Sequence, residues 1–291
     1  MTKNSLLIGF ILLLTLSNSL FAQFDDVEIK VIPASGNIYM LEGAGGNIGV
    51  SVGEDGILMI DDQFKPLAEK IQKALTNFNK GELKFILNTH VHGDHVGGNT
   101  FFGKHTTIIA QDNVRKRMID DFNNKEEKAQ GKDAWPVITF EKSLSVHFNN
   151  EEIKVIHLPA GHTDGDAVIY FTKSNVVHTG DLMFSGLFPF VDLESGGTVD
   201  GYIADVAEII SNINDSTVII PGHGPLSKLS DYKSFQNMLL TTTKIVRDYI
   251  AEGKTLDEIV ALGLGEQWKD WSWSFISTER WITTIFNDTK K

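Results

Sequence analysis

Between Thr89 and Gly98 the chain reads Thr-His-Val-His-Gly-Asp-His-Val-Gly-Gly, which places four potential metal ligands, His90, His92, Asp94 and His95, within six residues. The stretch before it, Leu83 to Asn88, is apolar and mostly β-compatible, and predicts a buried strand. Glycines at 93, 97 and 98 stop that strand and open a loop with little side-chain bulk. In an extended segment His90 and His92 leave on the same face, and Asp94 and His95 follow from beyond the turn. Imidazole and carboxylate are the donors a zinc-like ion prefers, and three protein ligands with one open position is the catalytic arrangement. With nine histidines in 291 residues, so dense a cluster is hard to read as ordinary loop polarity.

Three further motifs sit at strand-to-loop exits: Pro159-Ala160-Gly161-His162-Thr163-Asp164-Gly165-Asp166, His178-Thr179-Gly180-Asp181-Leu182, and Ile220-Pro221-Gly222-His223-Gly224. In this order, and over roughly Val27 to Leu226, the four stretches resemble the signature of the metallo-β-lactamase superfamily. The resemblance implies an α/β fold, the αββα sandwich of that family. It also implies a ligand set: His90, His92 and His162 for one metal, Asp94, His95 and His223 for a second, with Asp181 bridging. Two zinc ions per chain are the expected cofactor, with iron or manganese open. Asp94 is the expected catalytic residue, orienting a hydroxide nucleophile and moving its proton. The best-known zinc β-lactamases put a cysteine at or near the place of Asp181, and this chain has no cysteine. Its pattern is more similar to the aspartate-bridged hydrolases related to glyoxalase II, lactonases and phosphodiesterases.

The first 22 residues read as a signal peptide: Lys3, an apolar run from Leu6 to Leu16, and a small residue, Ala22, before the expected cleavage point. The run is too short to favour a membrane anchor, and no cysteine follows it to carry a lipid. The expected hydrolase domain is 23–291, and the expected location is the periplasm or outside. Without the leader, 25 basic residues face 38 acidic ones, a net charge of −13. An acidic surface argues against an extended nucleic-acid footprint, so a small-molecule substrate is expected, with no membrane contact once the leader is removed. Oligomeric state is not legible. The absence of cysteine rules out a disulfide framework.

Short alternating runs at Glu28–Ile32, Ile38–Leu41, Ile48–Val52 and Ile57–Ile60 predict a β-meander. The turn Gly43–Asn47 within it reads as a plain hairpin loop rather than part of the site. Asp61 and Asp62 either cap a helix over Pro66–Asn77, or, as the resemblance implies for Asp61, buttress a metal ligand. A helical turn at Asn99–Gly103 and a strand at Thr106–Ala110 follow. A charged helix is expected over Asn113–Ala129, strands at Val137–Phe140, Leu144–Phe148, Ile153–Leu158, Ala167–Phe171, Val176–His178 and Val218–Ile220. Further helices are expected over Tyr202–Ile213, Asp231–Glu252, Leu256–Leu262 and Ser277–Phe286. His105, His147 and His157 are read as structural or surface residues, and His178 as buried on its strand. Phe184, Phe188 and Phe190 either wall the substrate pocket or anchor their loop in the core. Trp268, Trp271 and Trp273 suit a core or lid role.

The expected activity is cleavage of a small cyclic amide or ester, such as a β-lactam or lactone. Phosphodiester or thioester hydrolysis on the same centre is the alternative, and a secreted binding scaffold without turnover is the non-catalytic one. From Ser174 to Ser227 there is no lysine or arginine, so any cation that holds a substrate carboxylate comes from elsewhere in the fold.

Overall fold

Alternating apolar runs become twelve strands among the described residues, 24–291 apart from residue 128, of the computed structural model; the expected leader at 1–22 lies outside them. Strands β1 (Lys30–Ser35), β2 (Ile38–Glu42), β3 (Ile48–Gly53), β4 (Gly56–Ile60), β5 (Leu83–Leu87), β6 (Thr107–Gln111) and β7 (Ile138–Phe140) lie side by side in that order. The second sheet holds β8 (Ser143–Phe148), β9 (Glu151–His157), β10 (Ala167–Phe171), β11 (Val176–His178) and β12 (Val218–Ile220), with neighbours again consecutive. The meander β1–β4 is antiparallel, because short turns join its strands. From β4 to β7 the pairing is parallel, which demands crossover segments.

Among the described residues, eight α-helices supply the crossovers and the outer layers: α1 (Ala68–Thr76), α2 (Gly93–Val96), α3 (Asn99–Phe102), α4 (Asp112–Asn123), α5 (Val199–Ser211), α6 (Leu229–Ala251), α7 (Leu256–Leu262) and α8 (Thr278–Lys290). The expected charged helix stops at Asn123 rather than Ala129. The Asn123-Asn124 pair is a weak helix former, and Lys125 turns left-handed at φ +58°.

Strand periodicity decides the layering. Ile38, Met40, Leu58 and Ile60 point between the sheets, where they meet Ile153, Val155, Ile169 and Phe171. Their neighbours Leu41, Ile57 and Met59 point outward onto Leu67, Ile71 and Leu75 around α1. Val168, Val177 and Ile219 of the second sheet pack against Tyr202, Val206, Tyr232, Phe235 and Trp281 from α5, α6 and α8. Each such side chain contributes roughly 1.5–3 kcal/mol on full burial. The result is the expected αββα sandwich.

The sheets also fix where chemistry can occur. The C-terminal ends of β4, β5, β9, β11 and β12 open on one edge of the sandwich, the position where α/β folds place ligands. These ends deliver Asp61, the 90–95 cluster, His162, Asp181 and His223.

Behind that edge, Asp205 on α5 is buried, and its Oδ2 has no hydrogen-bond partner. Burial first, and then the charge of Glu208, pushes its carboxyl up to about 7. The unfolded chain releases this proton near pH 4, whereas the fold keeps it until near neutrality. Stability from this group is therefore present below pH 4 and lost as pH rises toward 7. Asp205→Asn should raise the unfolding free energy by about 2 kcal/mol at pH 8 and by little at pH 4. Urea titration at the two values checks this; the same shift at both would contradict it.

Candidate metal centre

Two groups of side chains meet at the strand-end edge: His90, His92, His162 and Asp181, and beside them Asp94, His95 and His223. Within each group the potential ligand atoms lie within 4.8 Å of one another. The tautomers follow from the hydrogen bonds. Thr89 Oγ1 donates to Asp61 Oδ2 (2.7 Å) and so accepts from His90 Nδ1 (2.9 Å). His162 Nδ1 donates to the Phe190 carbonyl (2.7 Å), His92 Nε2 to Asp192 Oδ2 (2.9 Å), and His95 Nδ1 to Asp61 Oδ2 (2.7 Å). A neutral imidazole has one N–H, so the opposite nitrogens of His90, His92 and His162 point inward as lone pairs.

Those lone pairs face other acceptors. His92 Nδ1 and His162 Nε2 are 2.8 Å apart, and His90 Nε2 and His162 Nε2 lie 3.7 Å and 3.4 Å from Asp181 Oδ2. Protons do not resolve the conflict: burial pulls His162 down to about 4 and His90 well below its ordinary value. His90 Nε2, His95 Nε2 and Asp181 Oδ1 are buried without a hydrogen-bond partner, and buried polar atoms are otherwise nearly always paired. Divalent cations held by the two groups would satisfy them. Ligands about 2.1 Å from a tetrahedral ion sit roughly 3.4 Å from each other, the spacing seen around Asp181 Oδ2.

The second group is more open. His95 Nε2 and His223 Nε2 lie 3.0 Å and 3.4 Å from Asp181 Oδ1, and Asp94 Oδ2 lies 3.3 Å from His223 Nε2. Asp181 thus turns one oxygen to each group. Burial lowers His95 and His223, yet Asp181 above all lifts His95 well above its ordinary value and His223 to about 9. Burial acts against the ionised form of Asp94, but the charges of His95 and His223 outweigh it and keep that carboxyl below its ordinary range.

Local sequence explains the placement. Asp61 ends β4 at φ +61° and accepts from the Thr89 amide as well as from Thr89 Oγ1 and His95. Of the two readings, it buttresses ligands and caps no helix; Asp62 likewise accepts from the Gly98 amide instead of a cap donor. The turn Gly43–Asn47 is not the plain hairpin loop expected. Gly46 donates to the Asp94 carbonyl, and a Cβ on Gly46 would lie 2.1 Å from the His95 ring. Asn47 ties the turn to the Pro221 and Gly224 carbonyls, and Gly45 lines the pocket. His178 is buried on β11, accepts from the Gly180 amide and donates to the Asn47 carbonyl, so it is structural as expected. His105, His147 and His157 lie outside both groups. Asp192 was not legible, because no spacing connects it to His92 a hundred residues earlier; it is also bound by the Glu194 and Ser195 amides.

Above the ligands lies a cavity of about 390 Å³, lined by Gly45, Phe64, His92, Asp94, Asp181, Phe184, Phe190, His223, Trp273 and Phe275. The three loop phenylalanines divide their roles. Phe184 stacks on the His223 ring at 4.9 Å and Phe190 faces His92 at 5.5 Å, while Phe188 is fully buried in the core. Trp268 is buried, but Trp273 is a pocket wall, a role its sequence position did not reveal.

This sandwich, with its histidine–aspartate cluster under an apolar pocket, defines a metal-dependent hydrolase, and the cluster suits a divalent metal. The family model for the metallo-beta-lactamase superfamily matches residues 32–223, and the chain belongs to that superfamily. Among similar proteins, an uncharacterized protein of Aquifex aeolicus is 27% identical over 176 residues, 58% of this chain and 79% of that one. Hydroxyacylglutathione hydrolase of Pelagibacter ubique is 36% identical over 107 residues, 35% of this chain and only 37% of the relative. The structure of a metallo-beta-lactamase from Pontibacter korlensis superposes with a TM-score of 0.61 at 16% identity, over 73% of this chain and 99% of that one. At such identity the likeness shows the fold.

Two substitutions test the geometry. Asp192→Asn removes the carboxylate behind His92 and should weaken metal affinity about 10- to 100-fold, measured by competition with a chromogenic chelator. Gly46→Ala drives a methyl into the His95 ring and should cost metal affinity or folding outright. Native-like metal binding and melting temperature in that variant would show that the turn yields easily.

Proposed function

We propose that the protein is an exported hydrolase that opens a small cyclic amide or ester, with the β-lactam and lactone classes as the leading substrates. The observation that carries this reading is the joint arrangement of Asp94, Asp181 and His223 on the floor of a mostly apolar cavity. His90, His92 and His162 would hold one divalent ion, and Asp94, His95 and His223 a second, with Asp181 shared; nitrogen and carboxylate donors without sulfur favour zinc. Bound there, such ions would activate water at neutral pH and polarise a scissile oxygen.

The chain's own residues do the rest. Asp94 is ionised and partly open to the cavity, so it can accept a proton from the attacking water and pass it to the leaving group. Asp61 and Asp192 hold His95 and His92 in the tautomers that leave the inward nitrogens free. Phe64, Phe184, Phe190 and Trp273 exclude water around the reacting bond. The apolar stretch Leu6–Leu16 favours export, and with it a substrate met outside the cytoplasm. A thioesterase reading draws on the likeness to hydroxyacylglutathione hydrolase.

The deciding experiment assays zinc-loaded residues 23–291 against a chromogenic cephalosporin, a panel of lactones and a thioester, with Asp94→Ala and a chelator-treated sample as controls. Turnover of a lactam or lactone should fall at least a hundredfold in Asp94→Ala and vanish on chelation. Turnover of the thioester alone would replace this substrate class with the second reading. Near-normal rates in Asp94→Ala would remove that residue from the chemistry.

A further inference from the structure

The pocket is built by two parts of the chain. Every candidate ligand falls within residues 32–223, the part shared with the superfamily. Trp273 and Phe275, which form one wall of the cavity, lie beyond that part, between Trp271 and the start of α8. This wall is firmly held. The Phe188 amide donates to the Trp271 carbonyl (2.8 Å), and the Trp273 indole N–H donates to the Phe188 carbonyl (3.0 Å). Trp273 then faces Phe184 and His223 at 6.1 Å each, and Phe275 meets Phe190 edge-on at 5.4 Å.

Arg280, in the first turn of α8, lays its guanidinium over both outer rings, 4.2 Å from the Phe275 centroid and 5.2 Å from that of Phe190. One of its N–H groups is used, Nη1 on the Phe275 carbonyl at 2.8 Å. Among the described residues no carboxylate lies within ion-pair distance of it, although acids outnumber bases 38 to 26 in the chain. No lysine or arginine lines the cavity itself. An arginine stacked on two aromatic rings, with part of its planar fork free, is pre-organised for bidentate capture of a carboxylate. It sits one ring beyond Phe190, which itself touches His92.

We propose that residues 273–280 form a specificity subsite for a substrate with an apolar arm ending in a carboxylate. The arm lies along Phe190, Trp273 and Phe275, and Arg280 holds the carboxylate at the rim while the scissile group reaches the ligand cluster. This rests on the hydrolase reading for the position of the scissile group, and it deepens that reading by naming the substrate's charge. It also supplies the cation that Ser174–Ser227 lacks.

Binding is measured by intrinsic tryptophan fluorescence of the metal-loaded chain, with 4-phenylbutyrate and its neutral amide, 4-phenylbutanamide, as probes. The wild type should bind the carboxylate about tenfold more tightly than the amide, and Arg280→Gln should bind the two alike. Phe275→Leu, at an exposed position that folding tolerates, should weaken both probes together. Equal affinities in the wild type would overturn the subsite. So would a carboxylate preference that survives in Arg280→Gln, because the carboxylate would then sit on the metals. Binding through Arg280 without turnover of any ester or amide would keep the subsite and remove the hydrolase reading. Turnover without the carboxylate preference would do the reverse.

Discussion

The centre of this protein is a meeting of acceptors. Three inward imidazole lone pairs and the carboxylate of Asp181 converge on the largely buried floor of the cavity, where like-signed partial charges repel strongly. The ring protons of His90, His92 and His162 do not relieve this, since all are committed outward to Thr89, Asp192 and Phe190. Much of the surrounding structure serves to hold that frustrated arrangement in place. The β4 end presents Asp61 to both Thr89 and His95 of the 89–95 segment, Gly46 allows the meander turn to approach His95, and Asn47 bonds that turn to the His223 loop.

Parallel pairing explains why such an array can be assembled from distant residues. β4 and β5 run parallel in one sheet, as do β11 and β12 in the other, so their C-terminal ends emerge together. A loop anchored on a buried strand inherits that strand's rigidity, and ligand positions are then held by the core rather than by the metal. Tyr202 and Tyr232 extend this support by donating to the Asp181 and Leu182 carbonyls from the helical layer.

The sequence revealed the parts of this arrangement that are local. Four candidate ligands packed into 90–95, and glycines beside His162, Asp181 and His223, are signals that short-range chemistry leaves in the text. Strands β10, β11 and β12 began and ended where apolar β-branched runs did. What was hidden is pairwise and distant. Asp61 had two readings because a carboxylate after a strand looks the same whether it caps a helix or braces His95. Asp192 and Trp273 carry no spacing relation to the residues they touch, and the Gly43–Asn47 turn gives no sign of what it leans on. The end of α4 fell at the Asn123-Asn124 pair before a left-handed Lys125, a break that the continuous charged run to Ala129 hid.

The two backbone groups of Phe188 are both taken by the C-terminal segment, the amide by Trp271 and the carbonyl by the Trp273 indole. That clasp joins the metal-binding part of the chain to the C-terminal wall of the cavity. On one side lie the candidate ligands, carried on strand ends; on the other lies the aromatic wall of Trp273 and Phe275. Two hydrogen bonds at one residue thus tie the far end of the chain to the part that carries the metal-binding motifs.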